Sequence, residues 1–387
     1  MTPTLAQWLH DLSPWVVRLP GTGIGVRWYG LSYIAGFAAA WLLVRWMGKR
    51  RMTPIPSWAA LDAIMWAALG AIVGGRLLYC VLYQPSLLWT LEPSFPFWGG
   101  LMINRGGMAS HGGMLGVYIA AWRISRGFRV ESGGAATKEA GVEASRTTNP
   151  SEADRASDGE DRAGVVVGRC PPLHVMEVLA AASGPGLLFG RLANFINGEL
   201  LGRVVASAGE PGPSWSVRYP QEHLTGHVNR TPEAQRALDE LVLTYAPAAP
   251  GFATGYELLL EKLQAGGTNA ALIAERLAPM VSARHPTQLY QGLAEGIAPT
   301  VVVCLLWARP RALGVVGGAW LITYGGLRVV TELVRLPDDH LRVAQIAGLS
   351  RGQWLSVGMI VLGVALIAFG RKLSSERFGG WRQPAGA

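Results

Sequence analysis

Long apolar blocks constrain this chain more than any other feature. Seven stretches read this way: about Trp28 to Met47, Trp58 to Tyr79, Met108 to Trp122, Leu173 to Phe195, Leu289 to Trp307, Leu313 to Val330 and Trp354 to Phe369. A helix needs about 20 such residues to cross a hydrocarbon core, and Met108 to Trp122 is the shortest of the set. Charged residues make up 16% of the 387 positions, against about a quarter in an ordinary soluble domain. The pattern predicts an all-α integral membrane protein with about seven transmembrane helices and a small extracytoplasmic domain.

The net charge of +8 would suggest nucleic acid in a soluble protein, but these basic residues form short clusters beside apolar blocks. Lys49, Arg50 and Arg51 follow the first block; Arg123, Arg126 and Arg129 the third; Arg309 and Arg311 the fifth; Arg371 and Lys372 the last. Because Lys and Arg are retained on the cytoplasmic side, every odd-numbered span is predicted to end inside, with the N-terminus outside and the C-terminus cytoplasmic. The beginning of the chain lacks the pattern of a cleaved secretory signal, so the first span is expected to remain. Cys80, Cys170 and Cys304 are too few and scattered for a disulfide framework or zinc site, and are read as small buried hydrophobes.

Two segments break the pattern. Glu131 to Arg162 has eight acidic residues against four basic ones and no apolar periodicity, which predicts a disordered cytoplasmic linker. Val204 to Ala283 lies outside by the same topology; it holds helix-like runs over Pro232 to Tyr245 and Tyr256 to Leu277, and Trp215, Val217 and Tyr219 alternate as in a short strand. The expected organisation is three spans over 1–130, a linker over 131–168, the fourth span and its exit over 169–203, an extracytoplasmic segment over 204–283 and three spans over 284–387. No internal repeat suggests a transporter's duplicated halves.

An ionisable group inside a span costs about 2.5 to 3.5 kcal/mol on insertion scales, so such groups mark function more often than not. Five places qualify. They are Arg76; His111 among glycines; Arg191, Asn194, Asn197 and Glu199 where the fourth span emerges; His285 before the fifth; and Tyr324, Arg328 and Glu332 late in the sixth. The predicted topology brings all five to the outer face. Tyr324, Arg328 and Glu332 recur every four residues and share one side of a helix, as Arg191 and Asn194 do at three. Blander roles compete: snorkelling for Arg76, pairing with Arg328 for Glu332, and close helix packing for the glycines around His111, for which headgroup approach is the favoured reading. Asp62 and Glu177 read as interhelical hydrogen-bond partners. His10, His174, His223, His227 and His340 read as surface histidines. Arginines with Asn and Tyr donors suit a phosphate, and the absence of any nucleotide-binding glycine pattern points to a lipid's phosphate. No metal-ligand spacing appears.

At these residues the sequence resembles the prolipoprotein diacylglyceryl transferases of bacterial inner membranes. Gly190 to Arg203 reads as that family's signature. Trp28-Tyr29-Gly30, Gly75-Arg76, Gly107-Met108 with His111-Gly112-Gly113, Arg284 through Tyr290 and Tyr324 through Asp338 support it in order. Ser110 and Gln291 depart from the usual residues, and both inserted segments are longer than usual. The resemblance implies transfer of the diacylglyceryl group of phosphatidylglycerol to the lipobox cysteine thiol of a preprolipoprotein, forming a thioether and releasing glycerol phosphate, with no cofactor. The implied partners are phosphatidylglycerol, lipobox peptides and membrane lipid, and not nucleic acid. His111 is the implied base, and Arg191 with Arg328 the stabilisers of the departing phosphate. Tyr29, Arg76, Asn194, Asn197, Glu199, His285, Tyr324 and Glu332 are assigned to substrate binding, with Gly202 allowing close approach. A phospholipid hydrolase or headgroup transferase, and a lipid or anion transporter, are the alternative readings.

Overall fold

The computed structural model describes residues 8–19, 25–91, 93, 96–102, 107–130, 165–225, 228, 230–336, 349–373 and 375–381. All seven apolar blocks fall on helices: α1 (Trp28–Lys49), α2 (Ala60–Leu82), α3 (Ser110–Ser125), α4 (Pro172–Asn197), α8 (Thr287–Leu306), α9 (Val315–Glu332) and α10 (Arg351–Leu373). Five, those at Trp28–Lys49, Ser57–Leu82, Pro172–Asn197, Thr287–Leu306 and Gly352–Gly370, are long and apolar enough to cross a membrane. Of the other two, α3 has only 16 residues, and α9, with 18, includes four glycines and ends on Arg328 and Glu332. Outward apolar side chains such as Ile34, Leu82, Leu305 and Val361, at 67%, 64%, 62% and 64% exposure, suit a lipid solvent.

The described chain is mostly helical, as expected, but short strands also close its loops, more than the one expected near Val217. Their bounds are β1 (Trp8–Leu9), β2 (Trp15–Arg18), β3 (Gly25–Arg27), β4 (Phe128–Val130), β5 (Val165–Val167), β6 (Val204–Ala206), β7 (Val217–Arg218), β8 (Ala283–Arg284), β9 (Arg311–Ala312) and β10 (Arg377–Phe378). Segments of two to four residues bounded by turns carry too little period for a sequence pattern to mark them.

The chain divides into two compact units. The first comprises Met1–Gly36, Gly184–Pro299 and Leu321–Val361. It holds a four-stranded sheet in the order β1-β7-β8-β6 and three helices, α5 (Pro232–Tyr245), α6 (Phe252–Gln264) and α7 (Gly267–Leu277). Thr231 starts α5 by accepting a hydrogen bond from the Ala234 N–H at 3.2 Å, with Pro232 at the first helical position. The run predicted over Tyr256 to Leu277 is two helices, because Gly266 and Gly267, at φ +77° and +84°, adopt the left-handed backbone that ends a helix. Leu238, Leu259, Ile273 and Leu277 pack with Tyr256 as the core of this segment. The short strand expected around Trp215, Val217 and Tyr219 forms as β7 over Val217–Arg218, but its burial does not alternate, since Ser216 and Arg218 are buried too.

The second unit comprises Phe37–Ser183, Thr300–Trp320 and Leu362–Ala387. Its tightest contact joins α2 to α3 through glycines. A Cβ on Gly116 would lie 1.8 Å from the Gly70 carbonyl oxygen, and one on Gly112 would lie 2.2 Å from that of Gly74. The two backbones therefore touch, as small residues at four-residue spacing allow in lipid. Glu177 behaves as expected, its carboxylate accepting from the N–H groups of Gly314, Val316 and Gly317 at 2.9, 3.2 and 3.0 Å and so capping α9. Asp62 is exposed and makes no interhelical hydrogen bond among the described residues. The antiparallel pair β4–β5 joins Phe128–Val130 to Val165–Val167, the latter within the 131–168 span given to the linker, whose residues 131–164 lie outside the described residues.

Three expected surface histidines are buried instead: His10, His174 and His223 are 0%, 0% and 4% exposed. His10 Nε2 donates to the Phe195 carbonyl at 2.7 Å and His174 meets Thr53 Oγ1 at 2.9 Å, partners distant in sequence that only the folded chain supplies. His227 and His340 lie outside the described residues. Among the cysteines Cys80 is buried, Cys170 half-buried with its thiol pushed up to about 12 by desolvation, and Cys304 exposed, contrary to the expectation of burial.

Candidate functional site

The end of α4 is shaped by its own sequence. The helix stops at Asn197, and Gly198 and Leu200 follow at φ +65° and +56°. The first value favours glycine, and a Cβ on Gly198 would also strike the Gln221 side chain at 2.4 Å. This turn folds Glu199 back beneath the helix, where its N–H donates to the Asn194 carbonyl at 3.0 Å. Tyr29, at the start of α1, meets both groups: its hydroxyl oxygen lies 2.5 Å from Glu199 Oε2 and in hydrogen-bond contact with the Asn194 side-chain amide. The Tyr29 hydroxyl thus faces two acceptor oxygens, Glu199 Oε2 and Asn194 Oδ1, and its single hydrogen serves one of them at a time.

One turn earlier on α4 stands Arg191, which begins a chain of alternating charge. Arg191 Nη2 lies 2.9 Å from Glu295 Oε2, and Arg328 Nη1 lies 2.8 Å from Glu295 Oε1. Arg328 Nη2 reaches Glu332 Oε2 at 3.2 Å, and Glu332 Oε1 reaches Arg335 Nη1 at 3.6 Å. Glu295 is fully buried, whereas the side chains of Arg191 and Arg328 keep 20% and 17% exposure. Among these described members the chain starts and ends on a cation, with three guanidiniums to two carboxylates. A carboxylate with one oxygen on each arginine holds both forks at fixed separation while leaving their other N–H groups for a ligand.

Local backbone explains how Glu295 reaches them. Residues Gly292–Ile297 form a π-helical turn within α8, a widened i to i+5 turn that shifts the following residues around the helix and recurs at functional sites. Gly296 lets this turn approach α4, since a Cβ there would lie 2.9 Å from the Gly184 carbonyl oxygen. Gln291, just before the turn, is buried with neither amide atom hydrogen-bonded.

The remaining predicted residues divide between the units. Tyr324 sits one turn before Arg328 on α9. Asn197 has a buried Oδ1 without a hydrogen-bond donor. His285 stacks on Trp215 at 4.9 Å, its Nδ1 is buried and unpartnered, and desolvation lowers its pKa, so the ring is neutral at pH 7. Gly202 is held to glycine by protein: a Cβ would lie 2.2 Å from the His285 carbonyl oxygen, so the close approach expected there is that of the chain itself. In the second unit, Arg76 is buried and donates to the carbonyls of Gly100, Gly107 and Gly99 at 2.8, 2.9 and 2.8 Å, tying down that loop. His111 lies in the first turn of α3, exposed and without a partner among the described residues. Gly112 beside it is filled by α2, so helix packing accounts for that glycine in place of the favoured headgroup approach.

Sequence reasoning missed Glu295 and Glu222. Glu295 is an acid inside the apolar block Leu289 to Trp307, the same signal applied to the arginines, and it stands at the centre of the candidate site. Glu222 gave no such signal. It lies in a polar stretch, yet it is fully buried and accepts from Arg284 Nε at 2.6 Å and from the Ser282 N–H at 2.8 Å. No group of three or more His, Cys, Asp or Glu that could hold a metal ion occurs among the described residues.

Comparison with known proteins adds an independent finding. A family model described as prolipoprotein diacylglyceryl transferase matches residues 14–134 and 163–369. The chain is 32% identical over 395 residues to a phosphatidylglycerol--prolipoprotein diacylglyceryl transferase of Bdellovibrio bacteriovorus, covering 97% of each protein. It is 33% identical over 370 residues to the protein of that name from Neisseria gonorrhoeae, covering 94% of this chain and 98% of the relative. The protein of that name from Ralstonia pickettii is 31% identical over 355 residues, with 89% and 90% covered.

Proposed function

The chain belongs to the prolipoprotein diacylglyceryl transferase family, and from that premise we propose that the Arg191–Glu295–Arg328 cluster is its phosphate-handling centre. The protein is a membrane transferase that moves the diacylglyceryl group of phosphatidylglycerol to a prolipoprotein, the first step of lipoprotein maturation. In the reaction, the lipobox cysteine sulfur bonds to the glyceryl carbon and the bond from that carbon to the phosphate oxygen breaks. The phosphate oxygen keeps the electron pair and leaves as glycerol phosphate, and the thiol proton is passed on to a base.

The observation that carries this reading is the single carboxylate of Glu295 divided between two arginines. A phosphodiester has one negative charge and its leaving phosphate acquires a second. Two guanidiniums sharing one carboxylate keep cationic donors available for that charge, in an apolar surrounding where they count for more than in water. Glu332 and Arg335 steady Arg328 from its other side. Tyr29, Asn194 and Glu199 form a connected polar group suited to a glycerol headgroup's hydroxyls, and Asn197, Tyr324 and His285 are proposed to line the substrate's path. Arg76 serves by fixing its loop.

His111 is assigned the thiol proton on its chemistry and on the family motif it occupies. A free thiol of pKa near 8.5 is mostly protonated at pH 7, and an exposed imidazole with no other partner is suited to accept its proton. The charge clusters beside the spans support a bacterial inner-membrane protein of seven spans with the N-terminus and the 204–283 segment outside. Purified protein incubated with labelled phosphatidylglycerol, with and without a lipobox peptide, tests the activity. Glycerol phosphate is expected only with the peptide; release without it would favour a hydrolase.

A further inference from the structure

We propose that the second unit carries a phosphate-anion site at the junction of α1 and α2, separate from the transfer chemistry. A cavity of about 770 Å³ opens there, lined by Lys49, Arg51, Ser57, Trp58 and Arg377 among others, and by no Asp or Glu among the described residues. Along α2 it lies at the opposite end from Arg76, about 30 Å away at 1.5 Å per residue.

Three observations converge on an anion. The three cations make no ion pair within 4.0 Å among the described residues. The helical segment Ser57–Leu82 begins at the cavity, its N-cap is Pro56, and no side chain caps its first N–H groups. The positive end of such a helix binds phosphate readily. The third is Arg51 itself. The Arg51 N–H donates to the Gly48 carbonyl and the Met52 N–H to the Met47 carbonyl, each at 3.0 Å, which is the closing pattern of a helix whose left-handed residue is usually glycine. Here that residue is an arginine at φ +55°. A strained cation where glycine would relax the backbone points to a use for its side chain.

Of the carboxylates in this region, Glu177 is engaged by backbone N–H groups of α9, and Glu376, exposed next to Arg377 in the chain, does not line the cavity. The site therefore suits a phosphate monoester or diester, from a lipid headgroup or from free phosphate. Its place between the end of one membrane-length helix and the start of the next puts it at headgroup depth.

The test uses the full-length protein in phosphatidylcholine nanodiscs, with short-chain phosphatidic acid, inorganic phosphate and uncharged diacylglycerol as probes, read by native mass spectrometry and by thermal shift. Arg51→Gly is the informative variant, because glycine suits the left-handed position and the fold is kept; it is paired with Arg377→Gln. Phosphatidic acid is expected to bind wild type at least tenfold more tightly than the Arg51/Arg377 variant, with diacylglycerol indifferent. Equal competition by inorganic phosphate would identify free phosphate as the ligand, and no competition a lipid headgroup; both support the site. Unchanged affinities for phosphatidic acid and phosphate in the variant, or no binding of either to wild type, would overturn it.

Discussion

Among single side chains, Glu295 decides most about the candidate site. Its two oxygens lie 2.9 and 2.8 Å from Arg191 and Arg328, and it has no exposure to water. Removing one partner of a buried ion pair leaves an uncompensated charge, at a cost of about 3 to 5 kcal/mol. Glu295→Gln is therefore expected to lower the unfolding temperature in detergent and to reduce diacylglyceryl transfer by more than tenfold. Arg191→Lys and Arg328→Lys keep the charge but lose the planar fork. Each should cut transfer at least tenfold with little change in melting; near-normal transfer in both would remove the phosphate role. Buried histidines make a second prediction at this scale. Desolvation lowers the pKa of His10 and of His223 below the ordinary value of about 6.5. The unfolded chain then takes up protons first as pH falls, so the stability they allow is complete above about pH 6.5 and declines below it. Melting curves from pH 8 to 5 should show this fall, and His10→Gln with His223→Gln should flatten it.

Among elements, the α2–α3 contact is the most demanding. Gly70 and Gly74 face Gly116 and Gly112 backbone to backbone, and a Cβ at 1.8 Å from a carbonyl oxygen cannot be accommodated without moving a helix. Gly116→Ala should destabilise by about 1 to 3 kcal/mol, as overpacking does. Gly358→Ala on α10, where a Cβ meets nothing within 4 Å, should be tolerated. Unfolding in mixed micelles compares them, and equal stability would mean the glycines do not set the packing. The same helices show what periodicity can reveal. Every apolar block became a helix, because a run of that length and apolarity has no other way to satisfy its backbone in lipid. The break at Gly266–Gly267 and the π turn at Gly292–Ile297 stayed hidden, since both depend on backbone choices that a window of side-chain polarity averages out.

For the whole molecule, orientation rests on the clusters of Lys and Arg. Single cysteines in a background lacking the native three, treated in intact cells with a membrane-impermeant maleimide, measure it. A cysteine at exposed Glu257 should label, and one at Lys49 only after the membrane is opened. Labelling in the reverse order would invert the assigned topology and put Glu257 on the cytoplasmic side.

The sequence alone determined the membrane character and the helices, and it singled out most of the polar residues that the candidate site brings together, because apolar length and the rarity of buried ionisable groups are local properties. It also carried the resemblance to the family, whose model matches residues 14–134 and 163–369. Only the tertiary structure decided partners. Tyr29 meets Glu199 across 170 positions, Arg191 meets Glu295 across 104, and Arg284 meets Glu222 across 62. It also turned Arg76 toward loop carbonyls and Gly202 and Gly112 toward neighbouring backbone. A residue's type announces that its charge or missing side chain must be accounted for; which group answers it depends on distances that arise when helices far apart in the chain pack.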